Sequence, residues 1–208
     1  LKGTALPQAE RALLIKRLAR YTGLSERYID QANLRVGPGR FMKELLRERG
    51  VSLGRYDGRS IGEDSEAAGD QPDNDASLYA VDGAFVATIN DYLGRVLNAG
   101  IDRPYRILEG APASKWKWFE RPGPGRFLNV APALGQVMRE NRDFRLFVAS
   151  GLYDLATPFY ATEMTLAHNG IKPDRTQHEL FEAGHMLYTH GPSRDRLADG
   201  IRRFIRTK

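Results

Sequence analysis

Two short segments near the C-terminus each place a residue with acid–base chemistry directly after an apolar run. Residues 146–154 lead to Asp154, and residues 179–186 contain His185. Each segment is typical of a strand followed by a loop and a helix. A histidine can take the proton of a nucleophile, while a buried aspartate holds its tautomer and stabilises the imidazolium. In this order, Asp154 and His185 match the last two members of a Ser…Asp…His triad.

Each residue also has a simpler explanation. Asp154 alone could be an acid that caps the following helix, and His185 alone could be a histidine on a surface loop. Together they follow the carboxyl ends of two predicted strands, where open α/β sheets hold ligands and catalytic groups. We therefore predict that the Asp154 carboxylate lies within about 3.2 Å of an imidazole nitrogen of His185.

The elements around these two residues alternate in a way that predicts the fold class. Helices are expected at residues 129–141 and 158–168, strands at 145–150 and 177–182, and a last helix after Ser193. An α-β-α-β-α order is typical of a doubly wound, mostly parallel sheet. The sequence therefore predicts an α/β fold whose two strands end at the same edge of the sheet.

Residues at the helix ends and faces make this prediction more specific. Thr157 and Ser193 are expected to be N-caps, because their hydroxyl groups can accept a hydrogen bond from a first-turn amide. The last helix is expected to turn three apolar side chains inward: Leu197, Ile201 and Ile205.

The first hundred residues are predicted to be mostly helical. Helices are expected from Pro7 onwards, from Ser25 to about Asn33, around residues 41–50 with Gly50 after the last turn, and over about residues 78–98. In the first helix, Leu14, Leu18 and Tyr21 are expected to form one buried stripe. Residues 51–76 are rich in glycine and acidic side chains and are predicted to be irregular. The turn cluster at residues 122–125 predicts a boundary.

Composition limits the classes of function. The chain has 208 residues, a formal net charge of +5 and no cysteine, which excludes disulfides, thiolate metal sites and cysteine catalysis. The basic residues of the first helix surround an apolar stripe and do not form a nucleic-acid-binding patch. No His-x-x-x-His pair indicates a zinc site, and no 18-residue apolar run or signal-peptide pattern is present. We expect no metal, cofactor, nucleic acid, signal peptide or transmembrane helix.

The Asp154 and His185 segments also carry a family resemblance. Residues 151–163 and 182–190 resemble the Asp and His segments of bacterial serine carboxypeptidases, peptidase family S10. Residues 53–59 and 90–93 are similar to further stretches of that family. Eukaryotic members usually have proline where Tyr188 stands, and they carry disulfides that this chain cannot form. The resemblance implies an α/β-hydrolase fold, with a largely helical cap at residues 1–126 and the C-terminal part of the core at 127–208.

The resemblance further implies an activity. Members of the family remove single residues from peptide C-termini through an acyl-enzyme, so Asp154 and His185 are expected to be catalytic. Met186 is expected to border the pocket for the departing residue. The family's nucleophile lies in a Gly-Glu-Ser-Tyr-Gly-Gly type of elbow that precedes the matched segment. We therefore expect the serine and the rest of the core to lie outside this chain, which alone would be inactive. The family also suggests a periplasmic or secreted location.

Two other functions stay open. A capped esterase or lipase of the same fold would use the same pair, Asp154 and His185. A non-catalytic, peptide-binding or interaction fragment would use neither residue for chemistry.

One serine within the chain is an alternative candidate for the nucleophile. The segment Gly58-Arg59-Ser60-Ile61-Gly62 matches the G-x-S-x-G pattern of a nucleophile elbow. An elbow requires a buried strand before the serine and a helix after it, but acidic residues 63–66 follow here and continue into a loop. We therefore expect Ser60 to lie on a loop of the cap region, away from His185.

Overall fold

The structure is a computed structural model that describes residues 5–100, 103, 105–106, 109–116 and 129–207. Its helices are α1 (Gln8–Thr22), α2 (Glu26–Gln31), α3 (Pro38–Glu44), α4 (Asp82–Asp91), α5 (Gly110–Lys115), α6 (Ala131–Glu140), α7 (Phe159–His168) and α8 (Gly191–Arg206). Its strands are β1 (Val51–Leu53), β2 (Ile61–Glu63), β3 (Leu146–Gly151) and β4 (Thr176–Phe181). Short 3-10 turns lie at Arg47–Arg49, Pro173–Arg175 and Leu187–Thr189.

The described residues therefore form a mixed helix and strand structure with two small sheets. β1 and β2 pair antiparallel, while β3 and β4 pair parallel from Leu146↔Thr176 to Gly151↔Phe181. The alternation α6-β3-α7-β4-α8 agrees with the predicted order, and the parallel pairing brings both strand ends to one edge. Within the described residues, no third strand joins this sheet.

The first three helices form their own apolar core. Ile15, Leu24 and Ile29 are buried together. Ser25 caps α2 as predicted, because its hydroxyl accepts a hydrogen bond from the Tyr28 amide at 3.1 Å. The prediction for Tyr21 is wrong: the side chain is 80% exposed, because Ile15 supplies the contact with α2 instead.

The segment predicted to be an irregular acidic loop contains the β1–β2 hairpin. Both strands have only three residues, which is too short for an alternating pattern to be visible in the sequence. The ammonium group of Lys43, which is buried in α3, lies 2.6 Å from the Asp64 carboxylate just after β2. One of the acidic residues of the segment therefore makes a specific ion pair with α3.

The helix predicted over about residues 78–98 is shorter and ends differently. α4 covers Asp82–Asp91 and continues into a π-helical turn at Tyr92–Val96. Several of its large apolar side chains are exposed: Phe85, Val86, Tyr92 and Val96. The boundary predicted at residues 122–125 lies outside the described residues. Among the described helices, none is both long and apolar enough to cross a membrane.

The C-terminal elements pack around β3 and β4. Phe181, Ala183 and Leu187 are buried there, with Ala149 and Leu197 packed against them. The inner face of α8 differs from the predicted one. Gly200 and Phe204 lie against β3, so Ile201 and Ile205, about 100° around the helix from them, are 40% and 71% exposed.

Both predicted N-caps of this region are also wrong. α7 begins one residue later than expected, with Pro158 at its N-cap, and the Thr157 hydroxyl is directed at the Asp154 carboxylate, to which it donates, instead of accepting a first-turn amide. α8 begins at Gly191, with His190 as N-cap, so Ser193 lies inside the first turn. The Ser193 hydroxyl is 2.8 Å from Nδ1 of His190 and does not bond a first-turn amide.

Candidate active site

The loops after β3 and β4 run side by side beyond the ends of the strands. The Leu152 amide donates to the Phe181 carbonyl at 2.9 Å, and the Tyr153 amide donates to the Ala183 carbonyl at 3.1 Å. A methyl group at Gly151 would come within 2.3 Å of the Gly184 carbonyl oxygen, so glycine is required for this close approach. The continued pairing carries Asp154 and His185 from separate strands into one place.

Asp154 and His185 meet as predicted. Nδ1 of His185 lies 2.8 Å from Oδ2 of Asp154. The Asp154 side chain is 5% exposed, whereas that of His185 is 41% exposed. Among the described residues, Nε2 of His185 has no hydrogen-bond partner. The acid is therefore buried behind the histidine, and the other ring nitrogen is left available.

The Asp154 carboxylate is fully occupied as an acceptor. Oδ1 accepts the amides of Ala156 and Thr157 at 2.8 and 2.9 Å, and Oδ2 accepts the Thr157 hydroxyl at 2.6 Å as well as His185. Asp154 therefore binds the start of the next segment, as the simpler explanation expected, and also binds the histidine. Burial alone would raise the pKa of Asp154, but these hydrogen bonds outweigh it and hold the pKa below its ordinary value of 3.8.

The ionisation of Asp154 fixes which ring nitrogen of His185 carries the proton. An ionised carboxylate can only accept hydrogen bonds, so Nδ1 must be the donor. In the neutral ring, Nε2 then holds a lone pair and can accept a proton. This is the orientation in which histidine serves as a general base for a hydroxyl or water nucleophile placed at Nε2.

A third segment contacts both loops. It is the connection between β1 and β2 at residues 55–59, named here the hairpin turn. Its backbone makes three hydrogen bonds to these loops: Leu155 N to Arg55 O at 3.0 Å, Gly58 N to Tyr153 O at 2.8 Å, and His185 N to Tyr56 O at 2.6 Å. The hairpin turn therefore joins the Asp154 loop to the His185 loop.

Side chains of the hairpin turn also lie against the His185 loop. The Tyr56 ring stacks on the His185 ring, with centroids 4.9 Å apart and planes 21° from parallel. A methyl group at Gly184 would come within 2.2 Å of the Tyr56 carbonyl oxygen, so this position needs glycine for the turn to approach.

Asp57 and Arg59 form the outer part of the same contact. The Arg59 guanidinium pairs with the Asp57 carboxylate at 2.7 Å and lies 4.2 Å from the centre of the Tyr153 ring. Burial raises the pKa of Asp57, but hydrogen bonds from the Arg59 side chain and backbone and from the Gly184 backbone lower it overall. Asp57 is thus a second ionised carboxylate that holds the His185 loop in place.

The two remaining candidate residues form no hydrogen bond with the side chains of the pair. Met186 is half-buried directly after His185 and precedes the 3-10 turn that leads to α8. Ser60 follows the hairpin turn and precedes β2, so its context is strand, turn, strand and not the strand-turn-helix of an elbow. Ser60 lies on a loop, as predicted, and makes no hydrogen bond with His185, although Tyr56 four residues earlier contacts the histidine directly.

Sequence patterns gave no direct signal for Tyr56, Asp57 or Thr157 as part of the site. Tyr56 and His185 are 129 residues apart, so no local periodicity relates them. The signal that could have found Tyr56 and Asp57 was the family resemblance of residues 53–59. For Thr157, the sequence indicates only a helix cap.

Within the described residues, no group of three histidine, aspartate or glutamate side chains is arranged to hold a metal ion. Comparison with models of protein families, with curated proteins and with solved structures found no match to this chain. The functional interpretation therefore depends on the geometry of Asp154, His185 and the hairpin turn.

Proposed function

We propose that this chain supplies the general base and its orienting acid to a serine carboxypeptidase. His185 would take the proton of a serine hydroxyl through Nε2 and return it to the leaving amine, while Asp154 keeps the proton on Nδ1. The observation that carries the proposal is the 2.8 Å contact between Nδ1 and a buried carboxylate, with Nε2 left open. Peptide substrates and a periplasmic or secreted location are part of the proposal through the resemblance.

In the proposed fold, β3 and β4 belong to a larger sheet. They would be the last two strands of an α/β-hydrolase core, with residues 1–126 as the cap and residues 127–208 as the C-terminal part of the core. The parallel pairing of β3 and β4 and the position of both functional side chains beyond the strand ends support this assignment.

The nucleophile of the proposed enzyme is a serine outside residues 1–208. In support, no described serine hydroxyl bonds to Nε2 of His185, and Ser60 lacks the helix that an elbow needs. The chain by itself would then bind a peptide but not cleave it. In isolation it would therefore behave as the non-catalytic, peptide-binding fragment of the alternative function.

The test uses protein expressed from the full open reading frame. Release of free C-terminal amino acid from a blocked dipeptide is measured beside hydrolysis of a small ester, for wild type and for His185→Ala. Peptide cleavage that disappears in His185→Ala is the expected result. Full peptide cleavage in His185→Ala would overturn the mechanism, and ester cleavage without peptide cleavage in wild type would favour the esterase alternative.

A further inference from the structure

We propose that Tyr56 is a positioning residue for His185, and that the hairpin turn is a working part of the catalytic centre. The proposal rests on the proposed function in one respect: it takes His185 as the general base. Its structural basis is separate, because it lies in contacts that Tyr56 makes with the histidine from a hairpin far away in the sequence.

The hydrogen bond to Asp154 does not fix the imidazole plane by itself. Small rotations about the Cα–Cβ and Cβ–Cγ bonds can tilt the ring while Nδ1 stays within hydrogen-bonding reach of Oδ2, and such tilting moves Nε2 on the far side of the ring. His185 is 41% exposed, so close packing does not enclose it. A second contact on the ring face is needed to hold Nε2 in one direction, since effective catalysis depends on sub-ångström placement of the reacting groups.

Tyr56 supplies that second contact. Its ring lies nearly parallel to the imidazole at a centroid distance of 4.9 Å, and stacking of this kind opposes rotation out of the plane. Its carbonyl oxygen accepts the His185 amide at 2.6 Å, so one residue fixes both the backbone and the ring of the histidine.

The hairpin turn is rigid enough to serve as a support. The Asp75 carboxylate accepts the Arg55 amide at 2.8 Å and the Tyr56 amide at 3.3 Å, and the Ser77 hydroxyl also accepts the Tyr56 amide at 3.1 Å. Both Asp75 and Ser77 lie outside the turn, so they anchor it to the following segment. The turn is thus held on one side by these acceptors and on the other by the Asp154 and His185 loops.

The test separates the ring of Tyr56 from its backbone, which substitution does not remove. The variants are Tyr56→Phe, which keeps the ring, and Tyr56→Leu and Tyr56→Met, which fill the space without one. Tyr21→Leu is the matched control, because Tyr21 is an exposed tyrosine on α1. Protein from the full open reading frame is labelled with ¹⁵N-histidine, and the low-field proton resonance of His185 Nδ1 is assigned by its loss in His185→Gln.

We expect Tyr56→Phe and Tyr21→Leu to keep a sharp Nδ1 resonance and wild-type kcat. Tyr56→Leu and Tyr56→Met should broaden or lose the resonance and lower kcat by on the order of 10–100-fold, with little change in KM. The His178 resonances should stay constant throughout, because this histidine bonds Ser150 within the sheet and reports on its integrity.

Three results would overturn the proposal. The first is a sharp Nδ1 resonance and normal kcat in both ring-free variants. The second is a reduced kcat with an unchanged resonance, which would mean that the ring acts in another way. The third is movement of the His178 resonances in both variants, which would make Tyr56 a structural residue only. Peptide and ester cleavage that survives His185→Gln would instead reject the proposed function, and the resonance would still decide whether Tyr56 orients the ring.

Discussion

Two histidines near β4 each bond a side chain of the β3 segment, but only His185 bonds a buried carboxylate. His178 lies inside β4, where Nε2 is 3.0 Å from the hydroxyl of buried Ser150. His185 lies beyond the strand end, bonded to a buried acid through Nδ1 and open at Nε2. His178 thus bonds a serine that is buried. His185 bonds an acid, and no described serine bonds to it.

The difference shows that residue types alone do not define the chemistry. Within a sheet, a serine and a histidine satisfy each other as buried polar groups. Beyond the strand ends, the loops leave one face of the histidine open to a reacting group, as in open α/β sheets generally. The comparison therefore predicts opposite roles for two histidines that are seven residues apart.

The largest expected effect separates these two histidines directly. His185→Gln should lower kcat/KM for a blocked dipeptide by on the order of 10⁴-fold or more, because the general base is lost. His178→Gln should stay within about tenfold of wild type, since His178 touches no reacting group. Equal losses in the two variants would contradict the distinction drawn here.

The next effect concerns the acid behind His185. Asp154→Asn should lower kcat by on the order of 10³–10⁴-fold, because an amide can donate to Nδ1 and so favours the wrong tautomer of the histidine. Wild-type turnover in Asp154→Asn would show that the carboxylate only caps the following segment.

The same variant should also change how the free energy of unfolding depends on pH. The pKa of Asp154 is lowered below 3.8 in the folded protein, so its ionised form stabilises the fold at pH values above the unfolded pKa. That contribution should be lost as the pH falls through the lowered folded value. Chemical denaturation of wild type and Asp154→Asn should therefore show a stability difference near neutral pH that shrinks below about pH 4.

A smaller effect tests the contact between the hairpin turn and the His185 loop. Gly184→Ala should destabilise the protein by about 1–3 kcal/mol, because the added methyl group meets the Tyr56 carbonyl oxygen. The control is Gly83→Ala in α4, where a methyl group meets open space and alanine should stabilise the helix by about 0.5–1 kcal/mol. Similar changes of unfolding free energy in both variants would argue against a tight contact at Gly184.

The smallest expected effect falls on Met186. Met186→Ala should change the preference among C-terminal residues of the substrate while kcat for the best substrate changes little. An apolar wall contributes only about 1–3 kcal/mol of discrimination. Ratios of kcat/KM for blocked dipeptides ending in large and small apolar residues measure it, and unchanged ratios would remove Met186 from the pocket.

The sequence predicted the parts of the fold that have long periodic patterns. The order of α6, β3, α7, β4 and α8 followed from apolar runs and helical spacing, and the meeting of Asp154 with His185 followed from that order. The prediction that Ile201 and Ile205 lie on the inner face of α8 was wrong. Gly200 lies on that face instead, because it allows a closer approach to β3 than an apolar side chain would.

The parts that sequence patterns missed depend on contacts between distant residues. β1 and β2 are too short for a periodic signal, and their acidic surroundings resemble a solvated loop. Thr157 was expected to cap α7 by accepting a first-turn amide, but its hydroxyl donates to Asp154 and accepts no such amide. Tyr56 reaches His185 only because Gly184 lets the hairpin turn approach, and no rule of local spacing describes such a contact.

We propose above that His185 and Asp154 activate a serine that lies outside residues 1–208. The most direct measurement is labelling of the protein from its full open reading frame with a serine-directed phosphonate, followed by mass-spectrometric mapping of the adduct. We expect a single adduct on a serine outside this chain, and we expect it to disappear in His185→Ala. An adduct at Ser60, or labelling that is unaffected by His185→Ala, would contradict the claim.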